Sequence, residues 1–420
     1  MSLIGLLGFG TVVLAAMLIL HGYLWWRLVR STTHRGRLRR RLTLLTALLA
    51  LLPALAVALR RTLPLDAAAP LDWIAYTWLG IAFYAFLYLL VLEPVRLVLR
   101  LVGASGARRA PRSDDAAAQP DGGTALGRGA VREDGSVIDP SRRLFLARSL
   151  AVTAGVAALG TAGTGAYLAN AAPVVRRVPI TLGGLDPALD GLRIVTFSDP
   201  HLSSTYGGRR FERLVELVNA QRPDVVAIVG DLVDGDVDEL REDAAPLADL
   251  VSQQGVFFVT GNHEYFVDTR AWLRHLPTLG VEVLRNERVA IRRGGASFDL
   301  AGIDDRTAAR SGVPEHGADI DAALDGRDDA TPVVLLAHQP YMIEQARAAG
   351  VDLQLSGHTH GGQLWPFDYA IRLDQPAVEG LSRHGDTQLY VTAGAGYWGP
   401  PMRVGASPEV TVVELRSPGA

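Results

Sequence analysis

Val351-Asp352-Leu353-Gln354-Leu355-Ser356-Gly357-His358-Thr359-His360-Gly361-Gly362 runs from an apolar stretch, Val351 to Leu355, straight into two imidazoles on a loop freed by three glycines. Packing gives such a pair little purpose, whereas imidazole is the commonest metal ligand. Four other runs repeat the design. Leu192 to Ser198, alternating and β-branched, delivers Asp199-Pro200-His201; Val225 to Val229 delivers Gly230-Asp231. Val256 to Thr260 delivers Gly261-Asn262-His263-Glu264, and Val333 to Ala337 delivers His338. Runs of this length bounded by Gly and polar residues predict buried strands. Ligands of open sheets sit beyond strand ends, so side chains far apart in sequence converge at one rim.

The residue types narrow the chemistry. Imidazole and carboxylate without thiolate suit Mn, Fe or Zn better than Mg or Ca, which prefer all-oxygen shells. Asp199, His201, Asp231, Asn262, His338, His358 and His360 are too many for one tetrahedral site. They fit two metals about 3.5–4 Å apart, a spacing that clamps both oxygens of an in-line phosphoryl displacement. The remaining histidines, His21, His34, His275, His316 and His384, read as ordinary surface or packing residues.

Asp-x-His, Gly-Asp, Gly-Asn-His-Glu, a single His, then Gly-His-x-His is the pattern that the calcineurin-like metallophosphoesterases carry, and this chain resembles them over roughly Val178 to Leu415. Leu355 to Gln363, and the tail from Leu389-Tyr390-Val391-Thr392 to Trp398-Gly399-Pro400-Pro401-Met402-Arg403, are similar to the membrane-associated branch, some of whose members place transmembrane segments before the domain. The resemblance implies that Asp199, His201 and His360 hold one metal, and Asn262, His338 and His358 the other. Asp231 would bridge them, and a metal-activated hydroxide would be the nucleophile. It implies for His263 a place beside the metals, either donating to the phosphate or leaving oxygen or orienting the site. Pro200 departs mildly from the family but occupies no ligand position.

The linking segments predict helices. Phe211 to Ala220 puts Leu214, Val215, Leu217 and Val218 on one stripe, and Leu247 to Gln253 and Ile343 to Ala349 read as further helices. Strands alternating with helices predict an α/β domain, which in the family is a β-sandwich flanked by helices with the dinuclear site at strand ends. Asp304 is placed near the site rim, and Asp304 to Asp329 is the expected substrate wall.

Before this domain the chain is apolar. Leu3 to Trp26, Leu42 to Leu59 and Trp73 to Leu92 are each apolar and about long enough to span a bilayer. Trp25, Trp26, Trp73 and Trp78 suit interfacial belts. Arg27 to Arg41 holds seven arginines and no acid, so the positive-inside rule turns that loop to the cytoplasm and the first residues outward. The expected division is residues 1–102 as three transmembrane helices, 103–140 as a disordered cytoplasmic linker without apolar periodicity, 141–172 as an export signal or fourth membrane segment, and 173–420 as the catalytic domain. Ser141-Arg142-Arg143-Leu144-Phe145-Leu146 matches the twin-arginine export signature, followed by a weakly hydrophobic Ala/Gly/Thr run to Leu168. A plain fourth transmembrane helix or an amphipathic surface segment is the alternative, and an export signal or a plain fourth span puts the catalytic domain outside. Ala169-Asn170-Ala171 resembles a cleavage site, and cleavage and retention as an anchor stay open.

Zero cysteines exclude disulfides, thiolate metal sites and a Cys nucleophile, and a net charge of −3 gives no basic field for nucleic acid. The expected protein is a multi-pass cell-membrane phosphoesterase, stimulated by manganese or a similar metal, acting on a phosphodiester or phosphomonoester of an envelope or lipid-linked substrate. Its expected partners are the lipid bilayer, a phosphate-ester substrate and the twin-arginine export machinery. The alternatives are a UDP-2,3-diacylglucosamine-type pyrophosphate hydrolase at the cytoplasmic face and a noncatalytic scaffold of the same fold.

Overall fold

The computed structural model describes residues 3–60, 62–108 and 140–419. Its helices begin with α1 (Leu3–Leu24), which runs into a π-helical turn at Trp25–Arg30, then α2 (Arg37–Leu59), α3 (Leu65–Val91), α4 (Glu93–Arg108) and α5 (Pro140–Asn170). Four stretches, Gly10–Arg30, Arg37–Leu59, Leu65–Leu99 and Arg142–Asn170, are long and apolar enough to cross a membrane. Their sides expose Leu14, Leu18, Leu44, Leu51, Ile74, Val152 and Val156, the surface a helix needs when lipid is its solvent. α4 runs to Arg108, into the stretch expected to be linker, and residues 109–139 of that stretch lie outside the described residues. Arg142 to Leu168 lies within one unbroken helix.

The described residues divide into two compact units. One holds Leu14–Ala50 and Ile81–Gly160. Glu93 is its polar hub, accepting from Tyr23 Oη at 2.6 Å, Arg27 at 2.5 Å and Arg96 at 2.8 Å. Trp25 Nε1 donates to Thr43 Oγ1 at 2.9 Å and Arg148 Nε to the Thr32 carbonyl at 3.1 Å.

The other unit holds Leu51–Gly80 and Thr161–Ala420 besides the first residues. Its strands are β1 (Val174–Thr181), β2 (Arg193–Phe197), β3 (Val225–Val229), β4 (Val256–Val259), β5 (Val281–Val283), β6 (Glu287–Arg293), β7 (Ala296–Gly302), β8 (Val333–Leu336), β9 (Leu353–Ser356), β10 (Gly380–His384), β11 (Thr387–Val391) and β12 (Glu409–Arg416). They form two six-stranded sheets, β1-β12-β2-β3-β4-β5 and β10-β11-β9-β8-β7-β6. β2 through β5 pair in parallel, as do β7, β8, β9 and β11.

Alternation sorts the side chains. Ile194, Ala227, Val229 and Phe257 of the first sheet meet Leu300, Val334, Leu336, Leu353 and Leu355 of the second, making the sandwich core. Val195, Phe197, Val226, Ile228 and Phe258 face the other way, onto helices. Chief among these is α6 (Gly208–Ala220), which buries Phe211, Leu214, Val215 and Val218 at helical spacing. Each is worth about 1.5–3 kcal/mol, so a charge at Leu214 would detach the helix. Leu335 and Ala301 pack outward on α9 (Ile320–Leu324) and α10 (Ile343–Ala348), the expected helix near Ile343.

Leu247 to Gln253 departs from its expected helix. α7 (Val237–Ala244) precedes it, and only a 3-10 turn, Ala245–Asp249, follows. Asn219 Oδ1 accepts from Val251 N at 2.9 Å, taking an amide a helix would have paired, and Ser252 Oγ accepts from Gly255 N at 2.9 Å, closing a turn in its place. Two short helices complete the unit, α8 (Thr269–His275) before α9, and α11 (Asp368–Ile371) after α10.

Two membrane-helix segments belong to this same unit. Leu65 and Ala169 join the core cluster containing Leu202, Tyr206 and Tyr397. Along α3, Leu65, Ala68, Asp72 and Ala75 are buried at helical spacing. Ser204 Oγ donates to Asp72 Oδ2 at 2.6 Å, and a Cβ at Gly80 would lie 2.5 Å from Met402 Sδ. On α5 the Gly165 carbonyl accepts from Arg403 N at 2.9 Å.

Candidate metal centre

The turns after β2, β3, β4, β8 and β9 converge, and those after β2, β3 and β9 are strained. Asp199 (φ 55°), His201 (φ 52°), Asp231 (φ 52°), His358 (φ 72°) and His360 (φ 52°) all adopt left-handed backbone. Each such residue costs of order 1–3 kcal/mol and persists only where its surroundings enforce it. Two glycines allow the approach: a Cβ at Gly261 would strike the Asp231 carboxylate, and one at Gly357 the Ser198 hydroxyl and Asp199 carboxylate.

The donors gather in overlapping triads. In each of Asp199-His201-His360, Asp231-His338-His358 and His201-Asp231-His263 the possible ligand atoms lie within 4.8 Å of one another. His201 Nε2 and His360 Nε2 are 3.0 Å apart, His360 Nε2 is 3.6 Å from Asp199 Oδ1, and His338 Nε2 is 3.2 Å from Asp231 Oδ2. Asp231 Oδ2 is also 3.8 Å from His201 Nε2, so one carboxylate stands between the two groups. Asn262 Oδ1 is buried without a hydrogen-bond partner, and His338 Nε2, equally buried, faces the Asp231 carboxylate. Buried polar atoms carry partners as a rule, and a cation taking the Asn262 lone pair would meet that need. This oxygen and nitrogen set fits divalent metal binding.

The ring orientations agree. His338 Nδ1 donates to the Val229 carbonyl at 2.8 Å, and His201 Nδ1 to Asp234 Oδ1 at 3.1 Å, so in the neutral ring each Nε2 is the lone pair facing the centre. In His338 burial favours that neutral form, but Asp231 outweighs it and raises the imidazole well above its ordinary value, and a bound cation would displace that proton. Burial holds the His358 imidazole down at about 3, and burial with neighbouring His201 holds His360 well below its ordinary value, so both are neutral. His263 is different. Burial favours its neutral form, but Asp231 and Asp234 outweigh that and raise it to about 9.

Four residues outside the sequence-derived set hold the centre. Glu264, fully buried, accepts from the amides of Asp231, Leu232, Val233 and Gly261, tying two ligand loops together. Burial and Asp231 push its carboxyl up to about 7 while those N–H bonds pull down. Asp234 Oδ1 accepts from both His201 Nδ1 and, at 2.5 Å, His263 Nδ1; despite burial the two imidazoles hold it far below the usual carboxylate range. Arg60, at the end of α2, donates to the Asp234 carbonyl at 2.9 Å. Arg403 is fully buried and donates to the carbonyls of His360 at 2.7 Å, Ala393 at 2.7 Å and Gly394 at 3.1 Å, fixing the turn that presents His360. Glu264 stood inside Gly-Asn-His-Glu and Asp234 three residues after Asp231, but no spacing distinguishes such carboxylates from turn residues. Arg60 is separated from its partner in sequence by α3, α4 and α5.

Asp304, expected at the rim, pairs both oxygens with Arg285 at 3.0 and 2.9 Å and accepts from Gly317 N, so it braces its own loop. The mouth beside His263 is aromatic: Phe266 and Trp398 lie edge-on to its ring at centroid distances of 5.1 and 5.5 Å, and both are more than half exposed.

Two sheets carrying His, Asp and Asn at parallel strand ends define a metal-dependent hydrolase class. Residues 192–362 match the family model described as calcineurin-like phosphoesterase. A Danio rerio protein named "Transmembrane protein with metallophosphoesterase domain" is 40% identical over 303 residues, 70% of this chain and 67% of the relative. Its Bos taurus namesake is 40% identical over 292 residues, 67% of this chain and 65% of the relative. A Helicobacter pylori protein named "Uncharacterized metallophosphoesterase" is 39% identical over 278 residues, 66% of this chain and 73% of the relative. This chain belongs to the calcineurin-like phosphoesterase family and is a metal-dependent phosphoester hydrolase. With four helices able to span a bilayer, it is a membrane protein. It spans about two thirds of the length of the two vertebrate relatives.

Proposed function

We propose that this chain is a membrane-anchored phosphoesterase with two divalent ions, Mn, Fe or Zn, that hydrolyses a phosphodiester or phosphomonoester of an envelope or lipid-linked substrate. The observation that carries this reading is the overlapping triads of His and Asp donors, with Asn262 Oδ1 buried and unpartnered in the turn whose His263 amide donates to Asp231. In this reading Asp199, His201 and His360 hold one ion, Asn262, His338 and His358 hold the other, and Asp231 bridges them. Bound there, the ions would supply a nucleophilic water of lowered pKa and neutralise phosphate charge. The protein's own part is positional. Asp234 fixes the rings of His201 and His263, Glu264 fixes the Asp231 and Gly261 turns, and Phe266 and Trp398 wall one side against water. His263, its Nδ1 proton engaged by Asp234, turns Nε2 toward the centre, 3.9 Å from Asp231 Oδ2, where it can hand a proton to the departing oxygen.

The proposed placement is the cell membrane, multi-pass, with the catalytic domain extracytoplasmic. Arginines crowd the α1–α2 link and the region after α3, while Arg60 and Arg61 alone mark the α2–α3 link. Arg60 of that link donates to the Asp234 carbonyl, and Leu65 just after it joins the catalytic core cluster, which supports the catalytic domain lying on the same side as this link. Ser141 to Leu146 would engage the twin-arginine machinery at the start of α5. A reporter fused after Ala420, in wild type and in Arg142→Lys/Arg143→Lys, reads side and route: an outside signal lost in the variant supports export, and an inside signal refutes it. For the chemistry, metal-stripped full chain should gain hydrolysis of bis(p-nitrophenyl) phosphate or p-nitrophenyl phosphate on adding Mn²⁺. No gain with Mn²⁺, Fe²⁺ or Zn²⁺ sinks the enzymatic reading.

A further inference from the structure

The depth of one loop relative to α3 bears on the substrate. Between Asp72 and Glu93 the helix has no charge, and this stretch, Trp73 to Leu92, is about as long as the hydrocarbon layer is thick. Gly80 lies inside it, about 10 Å of helix beyond Trp73. Met402 and Pro400 rest on Gly80: a Cβ there would come within 2.5 Å of Met402 Sδ and 3.3 Å of Pro400 Cβ. The loop Trp398-Gly399-Pro400-Pro401-Met402 therefore reaches the depth of the leaflet next to the catalytic domain. The following residues repeat the contact on α5, where a Cβ at Gly165 would meet Val404 Cγ2 at 2.7 Å. Trp365, whose amide donates to the Val404 carbonyl at 2.8 Å, begins a segment exposing Trp365, Phe367 and Tyr369, aromatic types favoured at the bilayer interface. The same loop that reaches this depth carries Trp398, edge-on to His263 at the metal centre.

We infer that the centre opens onto the bilayer surface and takes as substrate the phosphate ester of a membrane lipid, with Trp398 and Phe266 bordering its path and the Trp365–Tyr369 segment seated in the interface. This rests on the hydrolytic reading above and deepens it. The lipid stays in its leaflet while its phosphate enters beside His263. Water oxygen forms the new bond to phosphorus, the bond from phosphorus to the ester oxygen breaks, and the leaving alcohol takes a proton.

The test uses the full chain in vesicles of phosphatidylethanolamine and phosphatidylglycerol with Mn²⁺. The chain has no cysteine, so W398C offers a single labelling position; a fluorophore there should be quenched by lipids brominated in the upper acyl chain. Headgroup or phosphate release is followed from vesicle phosphatidylglycerol and phosphatidic acid, and in parallel from soluble bis(p-nitrophenyl) phosphate. Phe367→Glu, which charges the interfacial segment away from the metal donors, should lower lipid cleavage about tenfold and leave the soluble diester unchanged. Absence of quenching overturns the inference. Cleavage of the soluble diester without either lipid also overturns it while sparing the hydrolytic reading. Quenching with neither ester class cleaved overturns the hydrolytic reading and the lipid substrate with it, leaving only the bilayer contact.

Discussion

Glu264→Gln isolates how the two ligand loops are tied. In the wild type Oε1 accepts from Leu232 N at 2.8 Å and Val233 N at 3.3 Å, and Oε2 from Asp231 N at 3.0 Å and Gly261 N at 2.6 Å. Glutamine keeps the shape but has one acceptor oxygen, so its amide nitrogen must face one of these pairs. Two buried N–H groups lose their acceptor, each costing about 1–3 kcal/mol, for a total of about 2–6 kcal/mol. A cost of that size compares with the whole stability of a typical domain, about 5–15 kcal/mol. Hydrogen–deuterium exchange of the metal-free full chain reads it locally: the opening free energies at Asp231 to Val233 and Gly261 should fall, while the β7–β8 amides on the far sheet hold theirs. Unchanged protection at those four amides would refute the argument, because it would mean that the carboxylate ties nothing the backbone does not already hold.

Asp234→Asn should weaken Mn²⁺ binding about 10- to 100-fold in calorimetric titration, the usual cost of removing a carboxylate behind a ligating imidazole; unaltered affinity would show that His201 needs no orientation. Arg60→Ala removes the 2.9 Å bond to the Asp234 carbonyl and should lower that affinity about two- to tenfold, with Arg60→Lys intermediate. Equal affinity in all three proteins would detach Arg60 from the centre. Adding Mn²⁺ to stripped protein should raise its unfolding midpoint with concentration, by about 1.4 kcal/mol per tenfold excess over Kd at each site; the rise should shrink in His338→Ala, and a rise of equal size there would place the ion elsewhere.

What could be read in the sequence and what could not divide along a physical line. The five strands were legible because burial on both faces writes itself as an apolar run, and β3 matches Val225 to Val229 residue for residue. The convergence of their His and Asp side chains was legible because imidazoles on glycine-rich turns serve packing poorly. Leu247 to Gln253 misled because its apolar spacing is helical, while Asn219, outside the pattern, claims the Val251 amide and Ser252 turns its hydroxyl to the Gly255 amide just beyond it. Asp234, Glu264 and Arg403 were hidden for a related reason: their roles lie in which carbonyl or amide they meet, and composition does not record that. Arg60 is the extreme case, since its partner is 174 residues away.

That distance sets the last expectation. If the catalytic strands were independent of the membrane region, residues 174–420 alone would bind metal as the full chain does. The contacts argue otherwise. Removing residues 1–173 uncovers the seats of Leu65 and Ala169 beside Leu202, Tyr206 and Tyr397, and burying a leucine is worth about 1.5–3 kcal/mol. It also deletes the Gly165 carbonyl that receives Arg403 N, in the stretch that holds His360, and the Arg60 guanidinium that steadies Asp234 behind His201. Both losses fall on the Asp199-His201-His360 triad, and neither touches Asp231-His338-His358. The isolated segment should therefore show two unequal Mn²⁺ sites in titration, the first triad weakened by at least the Arg60→Ala factor and the second close to its full-chain affinity. Two sites weakened equally would point to general loosening, and two sites at full-chain affinity would show that the membrane helices anchor the centre without shaping it.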